Sequence, residues 1–372
     1  MMLTEYKSKA ILTSVGINVP TGFTLTDPSE TNKIRSYPVA VKAQVASGGR
    51  GLAGGVVKAQ SETQAKEAIT RIMALKFDDS HPECVLIERW LPIEREVYLS
   101  VTIDGLADGY SILYSPNGGV AVEQGGAPTR YPVGLARAFR AHIFRAILLE
   151  VEPDIQLRER VISMAERLLQ LASAQDLMTV EINPLVRLSD GSLVAADAKI
   201  VVDEAARFRN QLIDQAMTWH EARQSAMLSQ ASKQRLMLVW LGGEIGLISG
   251  GAGMTMAAMD MIADAGSSAA CFLDCSANPT PAGYDTAFQL LDQELQVKVI
   301  LVAIFGGGTH MDRVARVMVQ LIAKRTSVKP VVFRLNGTHG NEVAPIFEAA
   351  GLDNFFILEE AVAAAVSAAK GT

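Results

Sequence analysis
The chain is short of several features that would direct its function. Three of its 372 residues are cysteine, Cys84, Cys271 and Cys275. An odd number without metal-ligand spacing argues against a disulfide framework and fits a reducing compartment, with each thiol read as a small buried hydrophobe. Aromatics make up 6% and the net charge is −6, with Lys and Arg scattered. There is thus no basic stripe or stacking platform for nucleic acid, and any phosphate must be held locally. No uninterrupted apolar run approaches the roughly 18 residues that cross a bilayer. Residues Met1 to Lys7 lack the pattern of a secretory leader, so a cytoplasmic protein with no membrane partner is expected.

Apolar residues are plentiful. At 49% hydrophobic and 20% charged, the chain has the composition of well-buried globular cores and the length of two or three domains. Residues 4–15 carry apolar positions at helical spacing (Tyr6, Ala10, Ile11, Leu12, Val15), with Thr4 as a candidate cap and Gly16 as the stop. Residues 38–45 read as a β-branched strand with one lysine, Lys42, in its middle. Such a lysine either snorkels from an edge strand or meets a ligand. The next nine residues, Ser47 to Gly55, hold five glycines before a strand resumes at Val56. A loop of this kind is either a hairpin tip or a place where backbone N–H groups approach phosphate, with Lys42 supplying charge. It lies between strands, so it is neither a Walker A loop nor a dinucleotide fingerprint, both of which open a helix.

After a helical segment near 62–75, a strand from Cys84 ends at Glu88, and Glu96 follows eight residues later. The link between them can lie along an adenine ring, with Glu96 accepting from ribose hydroxyls, although two glutamates at strand ends also suit solvated surface charge. Thr179–Val186 and Ser192–Ile200 read as two strands joined through Ser189-Asp190-Gly191. That hairpin sets Asn183 near Asp197. A carboxylate plus an amide oxygen suits Mg²⁺, which keeps waters and takes nucleotide phosphates as further ligands; the alternative is a polar rim in which Asn-Pro only starts a turn.

In register over nearly its whole length, the chain resembles the β subunits of ADP-forming acid–CoA ligases, typified by succinyl-CoA synthetase. The residues that carry the resemblance are the N-terminal helix, the glycine loop, the Glu88 segment and the Glu181-Ile182-Asn183-Pro184 hairpin. It implies an α/β chain with an N-terminal ATP-grasp domain followed by a flavodoxin-like open parallel-sheet domain. It further implies that Lys42, Gly49, Arg50 and Gly51 contact the phosphates of ATP or ADP, that Glu88, Leu91 and Glu96 frame base and ribose, and that Asn183 and Asp197 hold Mg²⁺. Glu181 then stands where the family receives a phosphohistidine loop from an α subunit, which also binds most of the CoA; Glu181 and Lys42 are the candidate catalytic residues. An αβ or α2β2 assembly is implied. The family's His-Ala-Gly-Gly-Arg-Gly-Lys reads Ala46 to Leu52 here, so an imidazole and a basic side chain are missing. Pro20 stands near the base-binding edge, where a guanine-preferring relative has a polar residue, which favours adenine.

Residues 203–232 are polar and helix-forming and look like a bridge, with a boundary near residue 234 giving domains 1–234 and 235–372. Strands read at 236–241, 245–248, 269–273, 297–304 and 330–335 alternate mostly with amphipathic helices, the pattern of an open parallel sheet whose ligands sit at strand carboxyl ends. Three such ends are turn-like, beginning at Ser249, Asp274 and Gly306, and make Gly250, Gly307, Gly308 and Thr309 candidate substrate contacts. Succinate-using relatives carry Asn at Gly250, Gly-Gly-Gly-Ala at Ser276 to Pro279, and an apolar residue and an arginine at Thr309-His310. The acid expected is therefore a differently substituted relative of succinate, with His310 facing its second polar group or the partner. None of the five histidines stands in a phosphohistidine motif, so the chain is expected to be half of an enzyme. A stand-alone ATP-grasp ligase and a catalytically silent nucleotide-binding subunit are the rival readings; the second domain argues against the former, and the presence of Lys42, Glu181, Asn183 and Asp197 against the latter.

Overall fold
A computed structural model describes residues 1–372 except 47, 48, 52, 78–80, 120, 121, 123–126, 223–225, 276–279 and 372. The expectations placed on Ser47, Gly48, Leu52 and Ser276 to Pro279 lie outside the described residues. The chain divides into two compact units, Met1–Trp219 and His220–Thr372. The division falls inside the polar segment read as a bridge.

In the first unit, helix α1 (Glu5–Ser14) precedes an antiparallel sheet of β1 (Gly22–Leu25), β2 (Val39–Ala43), β3 (Val56–Ala59) and β4 (Val85–Arg89), ordered β1-β4-β2-β3. Its apolar face packs on α2 (Glu62–Ala74) through Ala65, Ile69 and Ile72, and Ser61 caps that helix by accepting from Gln64 N. The glycine loop is the hairpin tip between β2 and β3, so Lys42 lies on a strand paired on both edges. The edge-strand alternative for this lysine does not hold.

A second antiparallel sheet follows, from β5 (Ile93–Asp104), β6 (Gly109–Ser115), β7 (Thr129–Gly134), β8 (Leu177–Leu188), β9 (Leu193–Ala195) and β10 (Lys199–Val202). Between β7 and β8 run α3 (Ala141–Leu148) and α4 (Ile155–Ala174), and α4 covers the sheet with Leu157, Val161, Leu168 and Ala172 at helical spacing. Ala195 pairs with Leu185, and Lys199 with Glu181. Both pairings keep one register, which puts Asp197 opposite Asn183, as the hairpin reading requires.

Helix α1 departs from its sequence reading. Thr4 occupies the cap position but makes no side-chain cap bond, while Tyr6 and Ala10 face outward and Glu5, Ser8 and Lys9 are buried beside Ile11 and Leu12. The apolar spacing located the helix and misassigned part of its inner face, because two charges of opposite sign take inward positions.

Helix α5 (Gln211–Glu221) gives Ile213 and Ala216 to the core of the first unit, whereas α6 (Ala226–Lys233) gives Ala231 to that of the second. The second unit is built on β11 (Met237–Trp240), β12 (Ile245–Gly250), β13 (Cys271–Asp274), β14 (Val299–Gly306) and β15 (Val331–Gly337), ordered β11-β13-β12-β14-β15. All neighbours are parallel except β11, an antiparallel edge on β13. The helices are α7 (Ala252–Asp264), α8 (Pro281–Gln293), α9 (Met311–Lys324), α10 (Val343–Glu348) and α11 (Leu358–Lys370). Strand order reverses between β12 and β14, so the carboxyl ends at Gly250 and Gly306 lie side by side at a topological switch point, where open α/β sheets bind ligands. Cys271 and Cys275 are buried and Cys84 is half-buried, all as free thiols, and burial pushes the Cys271 thiol up to about 12. Among the described residues no helix is long and apolar enough to cross a membrane.

Gly337 pairs with Gly306 at φ +121°, and a Cβ there would stand 2.3 Å from the Gly306 carbonyl oxygen. Gly337→Ala should destabilise the protein by on the order of 1–3 kcal/mol. Gly253→Ala, in helix α7 where a Cβ meets no heavy atom within 4 Å, should change it by less than about 1 kcal/mol. Urea unfolding decides, and equal midpoints for the two variants would contradict the packing at β14 and β15.

Candidate active site
Helix α1, strands β2 and β4, the glycine loop and the link between β9 and β10 each send a charged side chain to one place. Glu5, whose side chain has no exposure, is 2.7 Å from Lys9 Nζ, 2.8 Å from Lys42 Nζ and 3.0 Å from Arg50 Nη1. Glu88, also buried, is 2.6 Å from Lys9 Nζ and 2.8 Å from Lys42 Nζ. Both lysines also donate to the Ala196 carbonyl, at 2.8 and 2.7 Å. Arg50 Nη2 donates to both oxygens of Asp197, at 2.9 and 3.0 Å, and its Nη1 to the Ala43 carbonyl. Three cations thus face three carboxylates, and the cluster is neutral.

Burial alone would raise the Glu5 carboxyl, but Lys42, Lys9 and Arg50 outweigh it and hold the group well below the usual carboxylate range. Burial likewise works against charge on Lys42, and Glu5, Glu88 and Asp197 overcome it, so this amine stays protonated. Lys9 is pushed down by burial and by Lys42, against the pull of Glu5 and Glu88.

Of the residues singled out in the sequence, Lys42, Arg50, Glu88 and Asp197 therefore meet directly. Glu88 commits its carboxylate to two lysines, and its backbone lies on an interior strand paired with Gly22 on one side and Ala40 on the other, so the expected contact of Glu88 with a base is not what this arrangement favours. Gly49 and Gly51 lie in the loop beside Arg50 with open space at their missing Cβ positions, and Gly49 has φ +74°. Backbone can be approached closely there. Leu91, half-buried, follows β4, and Pro20 is buried ahead of Thr21, whose carbonyl accepts from Arg89 N. Glu96, half-buried on β5, accepts through its carbonyl from Gly118 N at 3.1 Å. The adjacent Gly119 N donates to Asn183 Oδ1 at 2.6 Å.

Asn183 offers an amide oxygen with a second lone pair, and Asp197 a carboxylate one-third exposed whose Oδ1 also accepts from Ala198 N at 2.7 Å. Two hard oxygen donors, one on β8 and one in the link that faces it, suit Mg²⁺. Glu181 lies two residues before Asn183 and shares its face of β8. The Tyr98 hydroxyl donates to it at 3.4 Å, and burial, with Glu181 nearby, pushes that phenol up to about 12.

Sequence reasoning missed Glu5 and Lys9, the i,i+4 pair that anchors the cluster. The available signal was two opposite charges one turn apart beside the buried Ile11 and Leu12. In the second unit, Gly250, Gly307, Gly308 and Thr309 line one cavity of about 610 Å³, together with Tyr284 and His310. The turns at β12 and β14 converge as the switch point predicts.

Glu5→Gln leaves three cations facing two carboxylates and should destabilise the first unit by about 3–5 kcal/mol near neutral pH. Because the folded-state pKa of Glu5 lies below its ordinary 4.5, the unfolded chain takes up the proton first as the solution is acidified. The parent's advantage over Glu5→Gln should hold steady above about pH 5 and shrink below 4.5. Urea midpoints measured against pH check this, and a gap that widens on acidification would refute it.

Residues 2–187 match the ATP-grasp domain family, and residues 248–368 match the CoA-ligase family. Over 381 residues the chain is 31% identical to the succinate–CoA ligase [ADP-forming] β subunit of Pyrobaculum islandicum, covering all of both chains. Over 388 residues it is 33% identical to the protein of the same description from Chloroflexus aurantiacus, again across all of both. The fold is shared with a solved structure of ATP citrate lyase from Methanothrix soehngenii in complex with citrate and coenzyme A (TM-score 0.75, 18% identity, 98% of this chain and 99% of that one). With an ATP-grasp fold that gathers Lys42, Arg50 and Asp197, a CoA-ligase fold behind it in sequence and this identity over full length, the chain belongs to the family of ADP-forming succinate–CoA ligase β subunits.

Proposed function
We propose that this chain is the nucleotide-binding subunit of an enzyme that converts a carboxylate, CoA and ATP to acyl-CoA, ADP and phosphate. The observation that carries the reading is the meeting of Lys42, Arg50, Glu88 and Asp197 from four separate segments in one cluster, with Asn183 in register opposite Asp197. Lys42, Arg50 and the open backbone at Gly49 and Gly51 hold the phosphates. Leu91 and Glu96 frame adenine and ribose, and Glu88 holds Lys42 in place beside them. Asn183 and Asp197 hold Mg²⁺, which when bound supplies positive charge that neutralises the phosphate oxygens.

Nucleotide binding is then an exchange of partners. Arg50 leaves the Asp197 carboxylate for phosphate, and Asp197 becomes available as a ligand. Lys42, fixed by Glu5 and Glu88, keeps its place and charge and stabilises the charge that develops on the transferring phosphoryl group. Glu181 stands on the same face of β8 to receive the phosphohistidine loop of an α subunit, which also carries most of the CoA site. The pair assembles as αβ or α2β2.

The acid enters the cavity lined by Gly250, Gly307, Gly308 and Thr309. Where this chain has Gly250, succinate-using relatives have an asparagine, and an unmatched buried polar group costs roughly 1–3 kcal/mol. The preferred acid is therefore a relative of succinate with a different substituent.

Asp197→Ala removes the only full charge assigned to Mg²⁺ and should weaken Mg²⁺-dependent ADP binding more than Asn183→Ala does. Calorimetry tests this, and an Asp197→Ala chain that binds Mg·ADP like the parent would sink the assignment. The purified chain alone should bind nucleotide without making acyl-CoA, and should become active when its α partner is added. With the reconstituted pair and a panel of carboxylates, a highest kcat/KM for succinate would reject the substrate reading, and acyl-CoA formation by the isolated chain would reject the two-subunit reading.

A further inference from the structure
Outside the nucleotide site, one cluster in the second unit has the composition of a metal centre. His310 occupies the position before α9, Asp312 lies in its first turn, and His339 sits in the turn after β15. The two turns are tied together, since Met311 N donates to the Thr338 carbonyl at 2.9 Å and Thr338 N to the Gly306 carbonyl at 2.8 Å. The imidazoles stack with centroids 4.5 Å apart and planes at 24°. One ligand atom from each of the three side chains lies within 4.8 Å of the other two, and His310 Nδ1 is 3.9 Å from Asp312 Oδ1.

We propose that His310, Asp312 and His339 bind a divalent transition-metal ion of the zinc type.

Two features favour an ion over a chance cluster. Asp312 Oδ1 is shielded from water and has no hydrogen-bond partner, a costly state for a carboxylate oxygen that a cation would relieve. Glu342 Oε1 lies 2.7 Å from His339 Nδ1. A carboxylate on one ring nitrogen is the arrangement that orients metal-binding histidines. His339 has φ 59°, in the left-handed region. In a tetrahedral zinc site, ligand atoms stand about 3.3 Å apart, so a closure of roughly 1–1.5 Å is needed. A metal lies in the plane of each imidazole it binds, so the two rings must also turn out of their stack; rotation of side chains that are only partly buried supplies both movements.

Two imidazoles and one carboxylate select zinc, cobalt or nickel over Mg²⁺, which prefers an all-oxygen shell. Three protein ligands leave at least one position open. Because His310 lines the cavity of the second unit, the ion would stand at the cavity wall.

The test uses the full-length chain, stripped with chelator and titrated with Co²⁺ while Mg²⁺ is in excess. One Co²⁺ per chain is expected, with the visible absorption of a low-coordinate site, and Zn²⁺ should displace it. His310→Phe keeps a stacking ring without ligand nitrogens, and His339→Asn tolerates the left-handed backbone; each should weaken binding ~10-fold or more, and Glu342→Gln should weaken it to a smaller extent. Asp197→Ala, in the other unit, should leave Co²⁺ affinity unchanged. Circular dichroism confirms that each variant is folded. Failure to bind Co²⁺ stoichiometrically, or binding that survives His310→Phe combined with His339→Asn, would overturn the proposal.

Discussion

A carboxylate without access to water stays ionised only when cations surround it, and in this protein that constraint falls on Glu5. Its oxygens are shared among Lys9, Lys42 and Arg50, so one buried charge on a helix fixes three basic groups from α1, β2 and the glycine loop. Glu88 repeats the arrangement from β4 with the two lysines. Taking so many ions out of water is expensive, and their mutual attraction offsets that cost only because the geometry is close and the Ala196 carbonyl takes further N–H bonds. On the proposed function, the return is that Lys42 is held in place before a ligand arrives. A flexible amine at the surface would have to be ordered at the moment of binding.

The second unit solves its positioning problem with backbone instead of charge. Parallel strands end in turns whose glycines leave room at the switch point, and Gly306 and Gly337 pair where neither could carry a side chain without collision. Part of the cavity wall is thus main chain at Gly250, Gly307 and Gly308, and side chains such as Tyr284, Thr309 and His310 complete it. A fold of this kind can change its ligand by substituting turn residues while its core stays intact.

Much of this was legible in the sequence, for physical reasons. Strands rich in Val and Ile declared themselves, and the hairpin around Ser189-Asp190-Gly191 forced Asn183 opposite Asp197 because a single register serves both of its flanks. The switch-point cavity followed from Gly-rich strand ends. Three things were hidden. The inward charges of α1 look like solvated ones, since their partners Lys42, Glu88 and Arg50 are remote in sequence. That β11 runs antiparallel depends on which strand it meets, which composition does not encode. The stack of His310 on His339 arises from the pairing of β14 with β15, and neither residue has a local pattern that announces it.

The neutrality of the buried cluster bears on how a nucleotide finds the cleft. Three unmatched basic groups facing solvent would project a positive field out to about the Debye length of 8–10 Å and raise the local concentration of polyphosphates. Here Lys9, Lys42 and Arg50 are already matched by Glu5, Glu88 and Asp197, so little field escapes. On the proposed function, this cluster itself gives an incoming nucleotide little electrostatic steering. Under the same proposal, discrimination would begin after contact, when a phosphate competes with Asp197 for Arg50 and an anion too weak to displace a carboxylate is released.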